Sequence, residues 1–210
     1  MRFLISAGPT REKIDPVRFI SNRSSGKMGY ALAEAALKAG HEVSLVSGPV
    51  NLPRPEGAEF VKVESAEEMA REIKRLFHNA DITIMAAAVA DYRPSTVSSQ
   101  KIKKTDGRLI LEFERTEDIL ASLGQLKEPG KTLVGFAAET QDLIDNTKDK
   151  LKRKNLDWII ANDVSKADRG FASDQNAVTM ISSKGEKTEL PLAGKKELAE
   201  KIISILTKIL

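Results

Sequence analysis

The stretch GPTREKIDPVRFISNRSSGKMG, residues 8–29, decides how the rest of the chain is read. An apolar run, Phe3-Leu4-Ile5, precedes it, and a helix-like run begins at Tyr30. Strand-to-helix connections in α/β units take about 2–6 residues, so this stretch, read as a loop, is far longer than a connection needs. It is also dense in hydrogen-bonding and charged groups. Loops that follow strands in an open α/β sheet lie at its carboxyl edge, where ligands bind. Ser24-Ser25-Gly26, just before the helix, predicts backbone N–H groups presented to an anion at a helix start. The plain alternative is a solvated loop with a helix cap at Ser24 or Ser25.

Beyond the stretch, Leu32, Ala35, Ala36 and Ala39 keep helical spacing up to Gly40. Strands are expected over 2–7, 41–47 and 59–63, and Ser65 with Glu68 forms a capping box for a helix to about Phe77. The continuous apolar run 81–89, DITIMAAAV, suits a central parallel strand. The alternating run 108–114, RLILEFE, suits a half-exposed one. Thr116 is expected to cap a helix starting at Glu117. Buried strands over 132–138 and 158–161 flank a charged helix over 142–154. After a loop of 164–175, a hairpin joins 176–182 to 187–190 across Ser183-Lys184-Gly185. A last helix, 195–210, turns Leu198, Ile202, Ile205, Leu206 and Ile209 to one face. This order predicts one α/β domain over 1–210 with a mostly parallel sheet.

Composition removes several function classes. The 210 residues carry a net charge of +3 and no cysteine, which excludes disulfides, thiolate metal sites and a cysteine nucleophile. The two histidines, His41 and His78, sit at turn or cap positions, against a histidine-dependent hydrolase or a zinc enzyme. The pI of about 9.0 argues only weakly for anionic ligands. No apolar stretch reaches the ~18 residues of a membrane span, and the N-terminus does not read as a signal peptide. A cytoplasmic protein is the default expectation.

Polar clusters follow the strands at 8–12, 91–93, 139–140 and 162–163. At one sheet edge they would bring Asp91, Phe136, Glu139, Asn162 and Asp163 towards the opening stretch, as a substrate crevice requires. A P-loop fails, because Ser21 stands where its first glycine belongs and Met28 follows Lys27. No GxGxxG follows the first strand. The lysines of 101–104 and the pair Lys150 and Lys154 suit phosphate as point charges. Like charges at i,i+4 also cost a helix a few tenths of a kcal/mol without an anion. The polar 95–107 segment, without periodicity, is expected to be a mobile flap.

The strings GPTREKIDPVRFISNRSSGKMG, SLVSGP, AAAVADYRP, KIKK, GFAAET, KNLDWIIANDV and FASDQNAV, in this order over 8–178, closely resemble phosphopantothenoylcysteine synthetase, the phosphopantothenate–cysteine ligase of coenzyme A biosynthesis. The resemblance implies a Rossmann-like three-layer sandwich with a C-terminal β-hairpin, and a homodimer. It implies joining of 4′-phosphopantothenate to L-cysteine through an acyl-nucleotide, with CTP (ATP being the alternative) and Mg²⁺. Members are often fused behind a flavin-dependent decarboxylase, so a stand-alone enzyme and an excised domain are both open. By resemblance, Asn22 acts on the acyl-nucleotide, and Lys101 is a flap lysine for nucleotide binding and the second half-reaction. Ala87, Ala88, Asp91, Phe136, Lys150 and Lys154 match nucleotide-binding positions, as do Thr116, Glu117, Asp118 and Ile119. That last quartet stands where many members have Asn-Pro-Asp-Ile. Gly8, Arg18, Asn22, Ser24, Ser25 and Gly26 are expected on the phosphopantothenate side, with the triphosphate at Lys101, Lys150 and Lys154. The competing readings are a nicotinamide-dependent reductase and a non-catalytic nucleotide- or RNA-binding protein. An aromatic content of 5% leaves few stacking platforms for the latter.

Overall fold

Alternating apolar side chains along the first strand split the molecule into three layers. In β1 (Arg2–Ala7), Phe3, Ile5 and Ala7 face one core, while Leu4 faces the other. The computed structural model describes residues 1–104, 106–139, 143–163 and 173–208, with the backbone alone at 138–139, 143–146, 148 and 163. The expected 164–175 loop therefore lies almost wholly outside the described residues, as do Asp142, Ile209 and Leu210.

After β1 the chain forms β2 (Arg11–Lys13) and β3 (Phe19–Ser21), then α1 (Lys27–Lys38), β4 (Glu42–Ser47), β5 (Glu59–Lys62) and α2 (Ala66–Phe77). Next come β6 (Ile82–Met85), β7 (Tyr92–Pro94), β8 (Phe113–Arg115), α3 (Ile119–Leu126), β9 (Thr132–Glu139) and α4 (Leu143–Arg153). The chain closes with β10 (Trp158–Asp163), the hairpin β11 (Gln175–Ser182) and β12 (Lys187–Gly194), and α5 (Lys195–Thr207). One eight-stranded sheet runs β12-β11-β10-β9-β6-β1-β4-β5. Its six strands from β10 to β5 are parallel, and β11 and β12 add an antiparallel edge. Numbered in chain order, those six lie 6-5-4-1-2-3, the Rossmann order with its switch point between β1 and β6. Helices α1 and α5 cover one face, and α2, α3 and α4 cover the other. Among the described residues no helix is long and apolar enough to cross a membrane.

The expected element order holds, with three short strands added. The 8–29 stretch is not one loop, because β2 and β3 pair antiparallel inside it. The strand expected over 81–89 stops at Met85. The alanines beyond it are small enough to look buried in a sequence, yet they form a loop along the crevice. The 108–114 strand shrinks to β8, paired with β7, and leaves Ile110 82% exposed. The capping box forms, with Ser65 accepting from Glu68 N at 3.1 Å and Glu68 reaching back to Glu64 N. Within the segment 95–104, Ser95 N donates to Glu112 O, Ser98 N donates to Ile14 O and Ile102 N donates to Asp15.

Candidate functional site

The switch point opens into a cavity of about 700 Å³, within the range of cofactor and substrate sites. Its floor is the start of α1, and this placement depends on glycine. A Cβ on Gly29 would lie 2.5 Å from Ala7 Cβ, so α1 can touch the end of β1 only without a side chain there. Gly26 is the helix N-cap with φ +75°, and Gly8 has φ +76°; a Cβ on either would meet Val50 within 3 Å. No side chain caps α1. Its first turn, whose N–H groups have no partner within the helix, borders the cavity at Lys27, Met28 and Gly29.

The facing wall is the loop 86–91, held by side chains from four segments. Ser6 Oγ accepts from Ala87 N at 3.1 Å, and Thr10 Oγ1 accepts from Ala90 N at 3.0 Å. Asn22 Nδ2 donates to Ala88 O at 2.9 Å and to Val89 O at 3.2 Å. Thr116 Oγ1 donates to Ala90 O at 2.5 Å. Ala88 N also donates to Gly8 O, so the ends of β1 and β6 stay zipped beyond the sheet. The alanines keep this backbone open, and Ala87, Ala88 and Asp91 line the cavity as expected.

Most of the expected residues do come together. Asn22, Ser24, Ser25, Gly26, Thr116, Glu117, Asp118, Ile119, Phe136 and Lys154 share the lining, and Asn162 joins them from the end of β10. The buried Oδ1 of Asn162 accepts no hydrogen bond from the described residues. The side chains of Glu139 and Asp163 lie outside the described residues. Lys101, Lys150, Gly8 and Arg18 are not among the lining residues. Arg18 instead holds Asp15, Lys101 is exposed, and Gly8 acts through its conformation.

Two expectations about charge need correction. Lys154 is not a spare point charge, because it pairs with Asp118 at 2.8 Å and is only 18% exposed. The pairing is forced by close packing: a Cβ on Gly124 of α3 would lie 2.0 Å from Lys154 O, so α3 sits directly on the end of α4. The anion that Lys154 meets is thus supplied by the protein itself. Burial pushes the Asp118 carboxyl up, but Lys154 and the Ala121 N–H together hold it below its ordinary value. Asp118, not Thr116, is the N-cap of α3, accepting from Ala121 N at 3.1 Å. Glu117 is held down by Lys74 and by Ser122.

The cations that do line the cavity include three that the sequence reading did not assign to the site: Lys27, Arg115 and Lys195. Lys195 opens α5 and is 8% exposed; burial, then the neighbouring Lys27 charge, push its ammonium down, while Asp174 opposes them. Lys27 reaches Asp174 at 2.5 Å. A signal was available: Lys195 shares the helical spacing of Leu198, Ala199 and Ile202, so it stands on the face that α5 buries. Among the described residues no group of three histidine, cysteine or acidic side chains could hold a metal. Strand β4, at whose end dinucleotide enzymes place their ribose-binding acid, ends at Ser47 and is followed by Gly48-Pro49.

Comparison with known proteins gives consistent matches. The family model of the DNA/pantothenate metabolism flavoprotein C-terminal domain matches residues 1–210. The coenzyme A biosynthesis bifunctional protein CoaBC of Bacillus subtilis is 51% identical over 201 residues, 95% of this chain and 49% of that protein. The crystal structure of the C-terminal domain of a CoaBC protein superposes with a TM-score of 0.85 at 46% identity, covering 99% of this chain and 94% of that one. The DNA/pantothenate metabolism flavoprotein from Streptococcus pneumoniae superposes at 0.84 with 25% identity, each chain covered completely. The chain spans about half the length of the curated relatives it matches.

Proposed function

The chain belongs to the DNA/pantothenate metabolism flavoprotein C-terminal domain family, and on that premise we propose that it is a phosphopantothenate–cysteine ligase acting in coenzyme A biosynthesis. The observation that carries this reading is the composition of the cavity wall. It offers backbone N–H groups, lysines and carbonyls, but neither a cysteine nor a histidine. Such a wall positions and neutralises anions, and it offers no histidine to activate a serine or threonine as nucleophile.

The reaction suits that wall. The ionised carboxylate of 4′-phosphopantothenate attacks the α-phosphate of CTP, pyrophosphate leaves, and an acyl-cytidylate forms. The amine of L-cysteine then attacks the acyl carbon and cytidine monophosphate departs. We assign the negative charge at this junction to the N-terminus of α1, with Lys27 and Lys195 beside it. This takes the place expected of Lys150 and Lys154 at the triphosphate, while Lys101 keeps its expected role as a flap lysine for nucleotide binding and the second half-reaction. Asn22 stands where the α1 approach meets the 86–91 loop, and it fixes the carbonyls that shape the pocket for the acyl-nucleotide. A Mg²⁺ ion would arrive on the nucleotide and needs only one or two protein carboxylates. Asp91 is the lining carboxylate without an ion pair among the described residues. Glu117 and Asp118 already hold lysines.

The exposed apolar side chains support a homodimer. Val17, Phe19, Tyr92, Leu109, Ile110 and Phe113 are all more than 40% exposed. They lie on or beside the β2–β3 hairpin and the β7–β8 ribbon, which touch each other through β2 and β7. A second copy would cover such a patch, since exposed apolar surface of this kind marks an interaction site.

The test is an assay of purified protein with phosphopantothenate, Mg²⁺, cysteine and either CTP or ATP. Pyrophosphate released only when phosphopantothenate is present, followed by the cysteine adduct, is the expected result. Absence of substrate-dependent pyrophosphate with both nucleotides would refute the ligase.

A further inference from the structure

The buried carboxylate of Asp15 plays no part in the chemistry above, yet it has five donors. Oδ1 accepts from Val17 N and Arg18 N, each at 2.8 Å. Oδ2 accepts from Arg18 Nε at 2.9 Å, Arg18 Nη2 at 2.5 Å and Ile102 N at 3.1 Å. Arg18 Nη2 also donates to Ile102 O at 3.0 Å. Closing the β2–β3 turn needs only the first two bonds, the ordinary work of an aspartate in a turn. Of the rest, two come from Arg18 and one from Ile102 N, 87 positions away. With the Arg18 bond to Ile102 O, Asp15 and Arg18 together hold both backbone groups of Ile102, the neighbour of Lys101. The Asp15 side chain is 0% exposed, and a buried charge is tolerated when its partners satisfy it completely.

We propose that Asp15 is a positioning residue, whose carboxylate joins the β2–β3 turn and the 98–104 segment into one body and so fixes where Lys101 stands. Arg18 is the second half of the clasp. The Ser98 N bond to Ile14 O, at 3.0 Å, secures the same segment three residues upstream of Lys101. With the backbone pinned on both sides of it, Lys101 moves with the hairpin. An asparagine at position 15 would keep the size of the side chain. It would set an amide nitrogen, or a single neutral oxygen, against donors from Arg18 and Ile102, and the clasp would open. The functional consequence rests on the role given to Lys101 by the ligase reading; the clasp itself does not.

The experiment has two arms. Limited trypsin digestion measures cleavage after the exposed Lys101, Lys103 and Lys104 relative to cleavage after Lys184 in the β11–β12 turn. Asp15→Asn should raise that ratio on the order of tenfold, as expected for a local opening made easier by lost charged hydrogen bonds. Arg18→Lys should raise it less. In the second arm, turnover is measured for Asp15→Asn, Lys101→Gln and the double variant. A residue acting through Lys101 predicts a double variant within about threefold of Lys101→Gln alone. An independent structural defect would multiply the two losses. A wild-type cleavage ratio in folded Asp15→Asn, or multiplicative losses, overturns the proposal. Should circular dichroism show Asp15→Asn unfolded, Arg18→Lys supplies both readouts under the same criteria. Should the wild-type protein show no turnover, the ligase reading falls while the trypsin ratio still decides the clasp.

Discussion

Residues 8–21 and 22–29 form one uninterrupted stretch, yet the two halves use their polar groups in opposite ways. In the first half, Thr10 holds Ala90 N, the buried Glu12 accepts from Ala66 N at the start of α2, and Asp15 and Arg18 clasp Ile102. Every one of these side chains is turned to the protein. In the second half the residues that line the cavity are largely glycine, serine and the open first turn of α1. A wealth of charged side chains therefore marks scaffolding here. The ligand-facing portion is marked by glycines whose side chains the packing forbids.

Asn22 stands at the boundary, and replacing it gives the largest expected effect. Asn22→Asp loses the donor to Ala88 O and Val89 O and turns a carboxylate towards two carbonyls. Product formation should fall by roughly 10²–10³, with acyl-nucleotide still detectable by mass spectrometry and the fold retained. Wild-type turnover would erase the distinction between the halves. Glu12→Ala should do the reverse. It orphans a buried N–H at the start of α2 and should cost about 1–3 kcal/mol in urea unfolding, with only a few-fold change in the turnover of folded protein. Loss of activity without loss of stability would place Glu12 at the ligand instead.

A smaller effect belongs to the cavity wall. Lys195→Gln removes a nearly buried charge and should raise the nucleotide KM about tenfold, whereas the exposed Lys196→Gln should leave it unchanged. Equal values for the two would remove Lys195 from the site. The smallest effect is one of pH. Arg18 holds the Asp15 carboxyl far below its ordinary 3.8, against the opposing effect of burial and with help from backbone N–H groups of Val17, Ile102 and Arg18. A carboxyl with a depressed folded-state value stabilises the fold above its unfolded value, and loses that contribution as the pH falls through the folded one. The stability gap between wild type and Asp15→Asn should therefore stay constant from pH 7 to 5 and narrow only below about 4. A gap that changes between pH 7 and 5 would point to a different titrating group.

The sheet was legible because its signals are local. Apolar runs, the Ser65–Glu68 box and the Gly185 turn each name an element without reference to anything distant. The hairpin inside 8–29 was not legible, since three-residue strands carry too little periodicity to stand out from a loop. The run Ala86–Ala90 misled for a physical reason: small apolar residues suit a buried strand and suit equally a loop whose backbone must stay open. Lys154 misled because its partner, Asp118, is brought to it by the Gly124 contact, which no spacing in the sequence reveals. Among the site residues fixed by backbone placement, Gly26 was read from its position before the α1 run, while Ala87 and Ala88 were found through the family resemblance. Lys195 was missed because a lysine beginning a charged helix reads as a solvated one.

Gly48 carries the closest approach of this kind among the described residues. A Cβ there would lie 1.8 Å from Pro9 O, inside the covalent core of its neighbour and not merely in contact with it. In a library of every substitution at every position, glycine alone should survive selection for folding at residue 48, whatever nucleotide the assay supplies. A library scored for turnover would return the same answer there for a different reason than at Asn22. Comparing the two scores separates positions that the fold requires from positions that the reaction requires.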